Sequence, residues 1–160
     1  MNKYLIRMIK KIALSVIFLL FLNSCDYKPI YSLKNEKFSV GELKSTGDKK
    51  INKLLIKKLS IYKNEKSNKI KYDLNIISEV NKNTLTKDKK GNPTTFNLRV
   101  TITVEIENSL GEKKSKIFEK NTNYDNNENK FNLRKYENSI KNNMVESIFQ
   151  SIILHLQTLN

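Results

Sequence analysis

The sequence predicts a two-layer α+β domain: a four-stranded, mostly antiparallel sheet with two helices on one face, in the order β-α-β-β-β-α. Three observations predict it. Residues 96–107 alternate without a break. Phe96, Leu98, Val100, Ile102, Val104 and Ile106 point one way, and Asn97, Arg99, Thr101, Thr103, Glu105 and Glu107 the other. That pattern makes a strand with one buried and one wet face. Residues 133–159 carry Tyr136, Ile140, Met144, Val145, Ile148, Phe149, Ile152, Ile153, Leu156 and Leu159 at helical spacing, a stripe wide enough to cover a sheet. A second helical pattern, Ile51, Leu54, Leu55, Leu59 and Tyr62, precedes the strands.

The first strand is weak: Phe38, Val40 and, past Gly41, Leu43 alternate over 38–43. Ser45-Thr46-Gly47-Asp48 is a turn, with Asp48 placed to cap the helix behind it. Lys49, Lys50, Lys53, Lys57 and Lys58 fill much of that helix. Its apolar face has two uses, packing on the sheet or lying on a membrane, and a domain of this size needs it for packing. The second strand is expected over 69–80, with Tyr72, Leu74, Ile76 and Val80 on one face. Residues 81–93 are polar and read as a loop or a frayed hairpin end. After the strand over 96–107, Asn108-Ser109-Leu110-Gly111 is a tight turn into a fourth strand, 113–123. There Ile117 and Phe118 are adjacent and must face opposite ways, as on a bulged or edge strand. The Asn-rich segment 124–130 reads as a loop. The first two strands are separated by a helix, so they can run parallel if adjacent.

Ahead of the domain lies an address. Lys3, Arg7, Lys10 and Lys11 precede an apolar run over 12–22, and no acid occurs before it. A basic start and an apolar core of about 7–15 residues make a secretory signal peptide. The run is short for a span, which needs roughly 20 apolar residues, and extending it backwards meets charges. An uncleaved N-terminal anchor is the alternative. Leu22, Ser24 and Cys25 match a bacterial lipobox, in which the cysteine thiol receives a diacylglycerol and the chain is cut before it. Cys25 is the only cysteine, so no disulfide competes for it, and the remaining alternative is a lone free thiol. The expected organisation is a signal peptide over 1–24, a lipidated tether over 25–37 and one domain over 38–160.

The chain carries a net charge of +14, four units of it in the leader. Such a balance suits an anionic partner, or serves solubility alone. Export and the lack of an aromatic-basic platform argue against nucleic acid. No catalytic constellation is present. His155 is the only histidine; it lies in the last helix and reads as a packing or surface residue. The sequence holds no zinc-ligand spacing, phosphate-cradling glycine loop or nucleophile elbow. The domain therefore reads as a binding or structural module without enzymatic activity, metal or cofactor, apart from a covalent lipid on Cys25.

Cys25-Asp26-Tyr27-Lys28-Pro29-Ile30-Tyr31 resembles the Cys-Gly-Phe-X-Pro-Leu-Tyr start of the LptE family of lipopolysaccharide-assembly lipoproteins in its alphaproteobacterial form. Tyr27, Pro29, Ile30 and Tyr31 stand at the matching positions. The resemblance implies an outer-membrane lipoprotein on the periplasmic face. It would partner the LptD β-barrel and help deliver lipopolysaccharide to the cell surface. Phosphates of that glycolipid would be met by Lys87, Lys89 and Lys90 between the strands and by Arg99 on the wet face, or these are ordinary solvated cations. Asp26 stands where the family has Gly, and in some bacteria an Asp there retains a lipoprotein in the inner membrane. The alternative function is accordingly an adaptor or activator of another envelope machine, a cell-wall synthase or a secretin.

Overall fold

The computed structural model describes residues 37–63 and 70–159. The signal peptide, Cys25 and the tether before Lys37 lie outside the described residues. The elements are β1 (Phe38–Gly47), α1 (Lys49–Leu59) with a 3₁₀ turn (Ser60–Tyr62), β2 (Ile70–Lys87), β3 (Pro93–Asn108), β4 (Lys113–Asp125) and α2 (Lys130–Thr158). The sheet order is β1-β2-β3-β4. β1 runs parallel to β2, across the α1 crossover, and the other neighbours are antiparallel. The predicted α+β architecture and element order are therefore those observed.

Alternation decides which face is dry. Leu98, Val100, Ile102, Val104 and Ile106 of β3 are all buried, as are Tyr72, Leu74 and Ile76 of β2. Ile51, Leu55 and Leu59 of α1 cover this face, together with Val145, Ile148, Ile152, Ile153 and Leu156 of α2. An aromatic group ties the two helices to the start of the sheet. Phe38 stacks on Tyr62 with centroids 5.7 Å apart, and Tyr62 lies 6.2 Å from Phe149. Lys58 sits 5.3 Å over the Phe149 ring and 2.5 Å from Glu146.

Asp48 caps α1 as its sequence position suggests, accepting hydrogen bonds from the amides of Lys50 (2.9 Å) and Ile51 (3.0 Å). α2 begins earlier than its apolar stripe, because Asn129 caps it by accepting from the Phe131 and Asn132 amides. Three strands run further than expected: β1 takes in Ser45 to Gly47, which read as a turn, and two more enter segments that read as a loop or frayed hairpin end and as a loop. β2 continues to Lys87 and β4 to Asp125. Residues 81–87 hold no apolar alternation, and pairing with β3 rather than burial keeps them extended: Asn81 opposes Arg99, and Asn83 opposes Asn97. Tyr124 pairs with Phe96 and is buried. β4 is an edge strand without a bulge against β3; Ile117 is 64% exposed and Phe118 only 9%, facing opposite ways as their adjacency requires.

β1 leaves the sheet at Ser78. Gly47 adopts φ +97°, and a Cβ there would lie 1.9 Å from the Ser78 carbonyl oxygen. The Asp48 amide then donates to that same oxygen at 3.2 Å. Gly91, in the β2–β3 turn, also has positive φ (+83°) but open space around it. Ala at Gly91 should therefore cost about 1 kcal/mol, the backbone penalty alone, and Ala at Gly47 about 3 kcal/mol or more. Urea unfolding of the two variants checks this; equal losses would contradict the close approach at Ser78.

Candidate functional site

The basic side chains singled out in the sequence fall in two places. Lys87 ends β2, and Lys89 and Lys90 lie in the turn, so the three share the hairpin tip. Asp88 builds that turn. Its carboxylate accepts from the amides of Lys90 and Asn92, each at 2.8 Å, and from the Asn92 side chain at 3.0 Å. These bonds, that from the Asn92 side chain foremost, hold its pKa below the ordinary value. Arg99 stands apart. It lies six residues into β3 from Pro93, roughly 20 Å along the strand, on the opposite side of the sheet from the helices. Its guanidinium is 3.5 Å from Glu119.

That open sheet face is mixed in charge and rich in acids. Glu42, Asp73, Glu79, Glu105, Glu107, Glu119 and Asp125 share it with Lys44, Lys71, Arg99 and Lys113. Lys44 and Lys113 are paired with Glu42 and Glu107. An open groove of about 630 Å³ runs over one end of this face, between Glu42, Asp73, Glu105 and Lys113. The excess of positive charge is on the helix side and its rim. α1 carries Lys49, Lys50, Lys53, Lys57 and Lys58 and no acid. Lys114, Lys116 and Lys120 of β4 oppose Ile106, Val104 and Val100 of β3, which places them on the helix side of the edge strand. Lys on an edge strand also discourages pairing with another chain.

β2, β3 and β4 extend beyond the last β1 pairing, at Ser78, and the first turns of α2 cover the extension by polar and aromatic contacts. Glu137 is the centre. It accepts from Lys82 Nζ at 2.5 Å and from the Tyr124 hydroxyl at 2.6 Å. Lys82 Nζ lies 3.9 Å over the Phe96 ring, and Tyr124 packs edge-on against Tyr136 with centroids 6.1 Å apart. Burial pushes the Glu137 carboxyl up, but the hydrogen bonds from Lys82 and Tyr124 and the charges of Lys82 and Lys141 outweigh it, and its pKa is lowered. Burial, with the neighbouring Glu137, drives the Tyr124 phenol far up. No pattern in the sequence marks Lys82 or Glu137. Glu137 and Lys82 are 55 residues apart, and the only local signal is a tyrosine at an alternating position of β4.

His155 lies against Phe118, with ring centroids 6.0 Å apart. Burial, and then the charges of Lys116 and Lys114, lower its pKa, so the imidazole is neutral at pH 7. Among the described residues no group of three or more His, Cys, Asp or Glu could hold a metal, and no helix is long and apolar enough to cross a membrane.

No protein-family model and no curated protein sequence matches the chain. Solved structures do. The crystal structure of rare lipoprotein B from Shewanella oneidensis superimposes with a TM-score of 0.58 at 18% identity, covering 76% of this chain and 98% of that one. A minor lipoprotein from Acinetobacter baumannii gives 0.54 at 17% identity, over 77% and 92%. The solution structure of a lipoprotein B from Nitrosomonas europaea gives 0.55 at 12% identity, over 76% and 84%. The likeness is one of fold: this domain has the architecture of bacterial envelope lipoproteins.

Glu137→Gln should destabilise the domain by about 1–3 kcal/mol at pH 7, since it leaves Lys82 without its counter-charge in a half-buried site. The folded pKa of Glu137 is lowered, so its contribution is complete above the unfolded value and is lost as pH falls through the folded one. Denaturation of both proteins from pH 7 into the acid range should show the gap closing; a gap independent of pH would contradict this role for the carboxylate.

Proposed function

We propose that the chain is an LptE-type lipoprotein, anchored by lipid on Cys25 to the outer membrane and facing the periplasm, which partners an LptD-like β-barrel in lipopolysaccharide assembly. The observation that carries the reading is a coincidence of independent features. A lipobox and the Cys25-to-Tyr31 start resemble LptE. The domain behind them has the fold of rare lipoprotein B, another name for LptE.

On this reading the domain works by binding, without a reaction of its own. Its anchor holds it at the bilayer, since each buried methylene contributes about 0.8 kcal/mol and several acyl chains together are firm. The hairpin tip offers Lys87, Lys89 and Lys90 to lipopolysaccharide phosphates, as charge-assisted hydrogen bonds favour. Arg99, paired with Glu119, is less available for that role. Asp26 favours a second reading, an adaptor retained at the inner membrane for a cell-wall synthase or a secretin.

Crosslinking in living cells, followed by identification of the captured protein, separates the two. The expected product is an outer-membrane β-barrel; a synthase or a secretin as the main product would favour the second reading. The anchor has its own test. Cys25→Ala should abolish metabolic lipid labelling, and continued labelling would refute lipidation at Cys25.

A further inference from the structure

Lys49, Lys53 and Lys57 follow one another at intervals of four and form a row along one face of α1. All three are exposed. Like charges at that spacing repel, and only Lys57, in the last turn, gains from the helix C-terminus. α1 contains no acid, and among the described residues no carboxylate pairs with any of the three. Some other cations are paired: Lys58 on the same helix, and Lys44, Lys82, Arg99 and Lys113, each meet a glutamate. The row forms one wall of an open groove of about 830 Å³, whose other wall is the outer edge of β1 at Ser45, Thr46 and Gly47, with Ile56 between them. Ile61, just past the end of α1, is 57% exposed. Three cations without a carboxylate partner, with an exposed isoleucine four residues past the last of them, suit a headgroup-facing surface.

We propose that this row is a docking surface for the phosphates of an anionic bilayer, with Ile61 reaching toward the headgroup layer. The proposal rests on the anchored reading above for its occupant. Cys25 is only twelve residues before Lys37, the first described residue, and that length of chain reaches at most about 40 Å. β1 and α1 follow directly, so an anchored domain meets its own membrane surface before any other anion. Each lysine near an anionic surface favours association about fivefold, and three together about a hundredfold, at distances within the Debye length of about 10 Å.

The test uses the mature protein with vesicles of phosphatidylcholine alone or mixed with phosphatidylglycerol. Flotation reports association, and acetylation rates read by mass spectrometry report burial of individual lysines. Lys44 and Lys113, paired on the opposite sheet face, are internal controls. The expected result is flotation with both vesicles. Lys49, Lys53 and Lys57 should be protected at least tenfold only on the anionic ones, with the protection lost in high salt. Flotation with the anionic vesicles alone would support the docking surface and refute the anchor. Flotation with both and equal acetylation would keep the anchor and overturn the docking surface. Flotation with neither would overturn both. Protection that appears only on adding an acidic partner protein would also overturn the proposal, in favour of a protein occupant. The K49Q/K53Q/K57Q variant should lose the preference for anionic vesicles while keeping its attachment to neutral ones; an unchanged preference would place the docking elsewhere.

Discussion

The structure depends on one constraint: the strictly alternating β3 has a face that cannot stay in water. Its five side chains from Leu98 to Ile106 are all at most 3% exposed. A single strand cannot bury them, and a sheet only lines them up with their neighbours on β2. Helices must close that face, and α2, at 29 residues, is about 43 Å long, enough to follow β3 for most of its length. α1 closes the part beside β1. The parallel pairing of β1 with β2 follows, since a helix placed between two adjacent strands returns the chain in the same direction.

Two kinds of packing result. From Met144 onward α2 is held by apolar burial. Toward its N-terminus the holding groups are the buried Leu133 together with Glu137, Tyr124, Lys82 and the rings of Phe96 and Tyr136. Polar clamps of this kind lose much of their net energy to desolvation, so the projecting hairpin is less firmly closed than the centre of the sheet. A tip that carries three lysines on such an extension can adjust to a partner without opening the core.

Most of the fold was legible because its strongest elements are amphipathic in one simple period. β3 alternates, and α2 repeats every three to four residues. What was not legible was held by something other than local burial. Residues 81–87 are polar except for the exposed Leu85 and are strand only because β3 pairs with them. Tyr124 opens an Asn-rich run that resembles a loop, and its burial comes from Phe96 and Glu137, distant in sequence. The sites divide in the same way. Lys87, Lys89 and Lys90 come together because they are neighbours in the chain. Arg99 reads as an open cation until β4 brings Glu119 beside it. The lysine row of α1 was visible in the sequence, but only the structure shows that no acid among the described residues pairs with it.

The role proposed for this domain is in lipopolysaccharide assembly. The most direct measurement is the amount of lipopolysaccharide at the cell surface after the protein is depleted. Surface lipopolysaccharide should fall while the glycolipid accumulates inside the envelope, and the wild-type chain should restore it. Unchanged surface lipopolysaccharide, with a defect in cell-wall growth or secretion instead, would contradict that role.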